Sequence, residues 1–199
     1  MTSSPAPSCA VVTGAASGIG RGLACALATR GIDLVLADID ADGLRQTSTQ
    51  IAQSAPSVRV LEVATNLADA AQIEVLCERA FDTFGRADWL YNCAGTLYSG
   101  PSWELDDTKW ARVLDINLWS AVRTARAFVP RMLAQGSGHI VNIASLAGLL
   151  VGPWLAGAAF DTFGTYDVPI LVAAALSFLA AFCVIPLGRE KADIVHRGQ

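Results

Sequence analysis

The sequence is poor in charge and almost without lysine. Charged residues fill 16% of its 199 positions, and Lys109 and Lys191 are the two lysines. An average soluble domain carries about 25% charge. The net charge is −4 and the pI about 5.0. No basic face is therefore available for DNA, RNA or an anionic membrane surface, and a nucleic-acid partner is excluded. Cysteine lacks pattern: Cys9, Cys25, Cys77, Cys93 and Cys183 are odd in number, and none falls in a CxxC or Cys/His ligand spacing. No metal site is expected, and the thiols read as reduced. The opening MTSSPAPS is no secretory signal, so the expected setting is cytoplasmic. Repeats of supersecondary length and low-complexity tracts are also missing.

Apolar side chains, by contrast, are abundant. They make up 53% of the chain, with a mean hydropathy of +0.42, which excludes a disordered protein. Residues 1–8 read as a flexible arm. From 9 to 148 short apolar runs alternate with longer helical patterns. Strands are predicted at 9–15, 33–38, 58–64, 87–95 and 139–145, and helices at 18–30, 41–54, 67–84 and 106–135. The strands are Val/Ile/Leu-rich without strict alternation, as strands covered on both faces are. Alternating strand and helix predicts an α/β fold, a Rossmann-like doubly wound parallel sheet of about five strands.

The composition then shifts. Residues 146–188 hold two charged side chains, Asp161 and Asp167, and 168–187 is an uncharged run of twenty residues. At about 1.5 Å per residue, a helix of that length matches a hydrocarbon core of roughly 30 Å. An apolar helical tail, 149–188, is expected as a membrane segment, followed by a polar tail, 189–199. The alternative is a buried helix packed on the sheet.

One turn carries chemistry. Gly14, Gly18 and Gly20 lie between the first strand and the first helix. A glycine turn there lets backbone approach a pyrophosphate, and the helix start offers free N–H groups and a positive dipole end. Asp38 ends the second strand, where a carboxylate accepts from ribose hydroxyls and repels a 2′-phosphate. With Ser17 and Ile39 nearby and no Arg or Lys, NAD is expected rather than NADP. The plainer readings are a packing turn for the glycines, and for Asp38 a solvated strand-end charge or a helix cap, a role Asp40 could also take.

These residues carry a resemblance. TGAASGIG at 13–20, Asn92-Cys93-Ala94-Gly95, Asp115-Ile116-Asn117-Leu118 and 140–145 follow the order and spacing of the short-chain dehydrogenase/reductase family. The resemblance spans about 8–148. It implies NAD bound by Gly14, Ser17, Gly18, Ile19, Gly20, Asp38, Asn66, Asn92, Ala94 and Gly95. It implies Asn117 in the catalytic relay and Ser145 polarising the substrate, with hydride passing between NAD and a secondary alcohol or ketone. Asn66 stands where the family usually has an acid. The residues alone leave Ser145 open as a strand-end serine, Asn117 as an exposed helical amide or one satisfying nearby backbone, and Asn92 as a loop-turning residue. The family's Tyr-x-x-x-Lys is absent: Ala158 and Thr162 occupy its places. Losing a positioned general acid costs about 10²–10⁴ in rate. A homo-oligomer is left open.

The tail has a separate resemblance. Gly152-Pro153, Ala156-Gly157, Phe160-Asp161, Gly164 and Tyr166, with the apolar run after them, look like the last two helices of a major facilitator transporter over 152–189. That implies a fused chain tied to a membrane through 168–187. It does not imply transport, because one helix pair makes no substrate path. The alternatives to an enzyme are an inactive nucleotide-binding module with a membrane-inserted tail and a non-functional fusion product.

Overall fold

The computed structural model describes residues 8–98, 104–144 and, as backbone only, 185–186. Five parallel strands form its centre: β1 (Cys9–Thr13), β2 (Asp33–Asp38), β3 (Val60–Ala64), β4 (Trp89–Asn92) and β5 (His139–Asn142). Their spatial order is β3-β2-β1-β4-β5, so the chain winds outward from β1 in both directions. Val11 pairs in register with Val35 and Leu90, and Thr13 with Ala37 and Asn92.

Helices α1 (Gly18–Ala28), α2 (Ala41–Ser54) and α3 (Ala70–Phe84) alternate with the strands. Then come α4 (Asp107–Leu114), a π-helical turn over Asp115–Trp119, and α5 (Ser120–Gln135). Strand period two sorts the core into two layers. Val11, Val35 and Leu90 face Ile73, Leu76, Phe128 and Met132 from α3 and α5. Val12, Leu34 and Leu36 face Ala24, Leu27, Leu44 and Ile51 from α1 and α2. Full burial of a side chain such as Phe128 or Leu76 stabilises by about 1.5–3 kcal/mol.

The boundaries differ from the sequence expectations in instructive places. The predicted helix at 67–84 starts at Ala70, because Asn66 Oδ1 accepts from Ala68 N and Asp69 Oδ1 accepts from Ala71 N at 2.9 Å. Local side-chain acceptors there compete with the helix ladder. The single helix predicted at 106–135 is interrupted by the π turn. Strand β5 stops at Asn142, so Ser145 does not end it and lies outside the described residues.

The tail expected at 149–188, its membrane helix and its transporter resemblance also lie outside the described residues, apart from Ile185 and Pro186. These two correct the expected helix through 187. They form a short strand, β6 (Ile185–Pro186), antiparallel to β5, with Ile185 opposite Ile140 and Pro186 opposite His139. Proline lacks an N–H and disfavours helix, while an edge strand offers unpaired backbone groups. Among the described residues, no helix is long and apolar enough to cross a membrane.

Candidate functional site

Above the carboxyl ends of the strands lies a crevice of about 530 Å³. It is walled by Gly14, Ser17, Gly18, Ile19 and Gly20, by Asp38 and Ile39, by Thr65, Asn66 and Leu67, by Cys93, Ala94, Gly95 and Thr96, and by Arg112 and Ile116. Open α/β sheets place ligands here, where strand order reverses on either side of β1.

The glycines of the first turn do different work. Gly14 has φ +68°, and a Cβ on it would lie 2.8 Å from Ala94 Cα and N. A Cβ on Gly20 would lie 2.2 Å from the Gly14 carbonyl oxygen. These two let the turn, α1 and the end of β4 pack backbone against backbone. Gly18 has φ +50°, but a Cβ there would meet nothing within 4 Å. Its free side faces open space.

Among the described residues, the opening N–H groups of α1 find no side-chain acceptor. Its N-cap, Ser17, is extended and makes no cap hydrogen bond. By contrast, Asp40, Asp69 and Asp106 cap α2, α3 and α4 through their carboxylates. Uncapped N–H groups and a dipole end beside an open crevice suit an anion.

Asp38 is half-buried and tied to the same turn. Its Oδ2 accepts from Ala16 N at 3.0 Å and its Oδ1 from Asp40 N at 3.1 Å. Each oxygen keeps acceptor capacity toward the crevice. The helix-cap reading belongs to Asp40, whose Oδ1 accepts from Asp42 N and Gly43 N.

Asn92 is placed otherwise than expected. It is buried and absent from the crevice wall, and both ends of its amide are used. Nδ2 donates to Asn142 Oδ1 at 2.8 Å, and Oδ1 accepts from Thr124 Oγ1 at 2.9 Å. It locks β4 to β5 and α5. The fold needs that buried amide satisfied, and these two bonds meet that need.

Asn117 sits in the π turn. Its Oδ1 accepts from Thr96 N at 2.8 Å, and its Nδ2 donates to Thr96 O at 2.8 Å. The amide mimics a strand partner and pins the loop after β4, so the satisfied-backbone reading holds. A π turn inside an α-helix frequently marks a functional site.

Several wall residues escaped the sequence reading. Thr13 does not line the crevice but shapes it, because its buried hydroxyl accepts from Cys93 N at 3.1 Å and Ala94 N at 3.2 Å. A hydroxyl ending β1 beside an Asn-x-Ala-Gly loop was the available signal. Arg112, one turn before Ile116 of the 115–118 motif, carried no local signature. The Cys93 thiol is pushed up to about 11 by burial. Among the described residues, no cluster could hold a metal ion.

Comparison with known proteins agrees with this geometry. The family described as short chain dehydrogenase matches residues 8–158. The 1-deoxy-11-beta-hydroxypentalenate dehydrogenase of Streptomyces exfoliatus is 39% identical over 146 residues, covering 72% of this chain and 52% of that protein. A short chain dehydrogenase/reductase from Burkholderia phymatum, crystallised with NAD, superposes with a TM-score of 0.68 at 33% identity, covering 78% of this chain and 61% of that one. The L-sorbose reductase of Gluconobacter frateurii, complexed with NADPH and L-sorbose, superposes with a TM-score of 0.67 at 31% identity, covering 78% and 65%. The chain spans about half the length of the curated relatives it matches.

Proposed function

The chain belongs to the short-chain dehydrogenase family, and from that premise we propose that it binds a nicotinamide dinucleotide, NAD or NADH, in the crevice above β1. One observation carries the reading: the uncapped start of α1 and the Asp38 carboxylate, joined through Ala16 N, face one cavity. The N–H groups opening α1 hold the pyrophosphate, and Gly18 gives it room. The spare lone pairs of Asp38 accept from the ribose hydroxyls. Its charge, beside Ile39 rather than Arg or Lys, disfavours a 2′-phosphate. Asn66 lines the crevice on the adenosine side, and the loop of Ala94 and Gly95 lines it further along.

The coenzyme, when bound, supplies the hydride acceptor or donor, and the substrate class by family is a secondary alcohol or ketone. Asn117 holds the loop beside the reacting end through Thr96. Ser145 donates to the substrate oxygen in this reading. Titration of the full chain with NADH tests binding, which should saturate at micromolar to low millimolar coenzyme. No saturation would sink the proposal.

A second reading has its own observation. Ala158 and Thr162 stand where the family places the tyrosine and lysine that move and stabilise the proton. On this reading the chain is a nucleotide-binding module without turnover, held to a membrane through the uncharged run that begins at 168 and precedes β6. A panel of alcohols and ketones separates the two. Turnover abolished by Ser145→Ala supports the enzyme, whereas binding without turnover supports the module. Recovery without detergent would count against the membrane attachment.

A further inference from the structure

Helix α4 brings to the crevice a cation that none of the roles above uses. Arg112 lines the cavity one turn before Ile116 and is exposed. Its guanidinium has no hydrogen-bond or ion-pair partner among the described residues. Other arginines are spent within the fold: Arg45, Arg59, Arg86 and Arg123 each hold a carboxylate. The carboxylate three residues beyond Arg112 is Asp115, and Arg123 takes it at 2.5 Å. Arg112 therefore keeps its full charge toward the crevice, where Asp38 is the other charged wall residue among those described.

The position along the crevice follows from Arg123. Its guanidinium also donates to the Leu67 carbonyl at 3.4 Å and the Asp115 carbonyl at 3.5 Å. That joins the start of the π turn to the loop after β3, which carries Asn66 and Leu67. Arg112, on the turn just before Asp115, stands at this same end.

We propose that Arg112 binds the adenosine half of the dinucleotide, laying its guanidinium against the purine while its charge draws the phosphates. The inference rests on the coenzyme reading above. A planar, weakly hydrated guanidinium stacks on an aromatic face in a way that an ammonium does not. An exposed contact of this kind is worth about a three- to five-fold change in affinity. Its electrostatic part fades as salt rises.

Calorimetric titration of the full chain and of Arg112→Ala with NADH and with ADP-ribose, each at low and raised salt, tests the proposal. The variant should bind both ligands about three- to five-fold more weakly, with a flatter salt dependence. Its thermal midpoint without ligand should be unchanged, because the side chain is exposed and unpaired. Unchanged affinity of the variant for NADH, in a chain whose wild type saturates, would overturn the role of Arg112 and leave the coenzyme reading standing. Weakened NADH binding with unchanged ADP-ribose binding would overturn the assignment to the adenosine half. Failure of the wild type to bind either ligand would overturn the coenzyme reading, and this inference with it.

Discussion

Replacing Gly18 with alanine separates the cost of shaping the turn from the cost of blocking it. At φ +50° an L-residue is strained by about 1–2 kcal/mol. The added methyl meets no atom within 4 Å, so no packing penalty joins that strain. Against a typical domain stability of about 5–15 kcal/mol, Gly18→Ala should fold normally. Its methyl points into the space assigned to the pyrophosphate. Displacing phosphate from charge-assisted N–H contacts forfeits about 1.5–3 kcal/mol, or roughly ten- to a hundred-fold in NADH affinity. Gly14→Ala is the matched contrast. It has φ +68° and nearly the same strain, but its methyl would sit 2.8 Å from the Ala94 backbone. Overpacking adds about 1–3 kcal/mol, for a total of about 2–5 kcal/mol. Urea denaturation measures the first quantity and NADH calorimetry the second. A folded Gly18→Ala that binds NADH as tightly as wild type would refute the placement of the phosphates. Equal stabilities for the two variants would refute the close approach at Ala94.

Three further expectations concern the scaffold and its ionisable groups. Asn92→Ala removes the amide that Asn142 and Thr124 share, and should cost about 1–3 kcal/mol in urea denaturation; a loss below about 0.5 kcal/mol would show the bridge to be dispensable. The Asp106 carboxyl is held down to about 2 by the Thr108 hydroxyl and the Lys109 N–H, so its cap on α4 is present above the ordinary range near 3.8 and is lost as pH falls through about 2. A carboxyl titration followed by NMR should show that low midpoint, and an ordinary one would contradict the cap. Cys93, lifted by burial from 9.0 to about 11, should alkylate at pH 8 roughly a hundred-fold more slowly than a free thiol, and more slowly still with NADH in the crevice; mass spectrometry of the labelled chain would expose the error if Cys93 reacts at the free-thiol rate.

The parallel sheet and its glycine turn were legible in the sequence because their causes are local. Near-continuous apolar runs, such as Cys9–Thr13 and Asp33–Asp38, must be buried on both faces wherever they pair. A glycine that must take positive φ is likewise marked by its own identity, as Gly14 and Gly18 are. What the side chains do in that frame depends on neighbours far along the chain. Asn92 gave no sign in the sequence that Asn142 and Thr124, fifty and thirty-two positions away, would hold both ends of its amide. Asn117 found its partner at Thr96 through a π turn that no spacing announces. Arg112 became a crevice cation only because Arg123 had already claimed Asp115. Which strands and turns form is set over a few residues by burial and backbone sterics, and the sequence determined that much unaided. Long-range hydrogen bonds and charges are settled by competition among whatever groups the fold brings together, so the use found by Asn92, Asn117 and Arg112 was decided by tertiary structure.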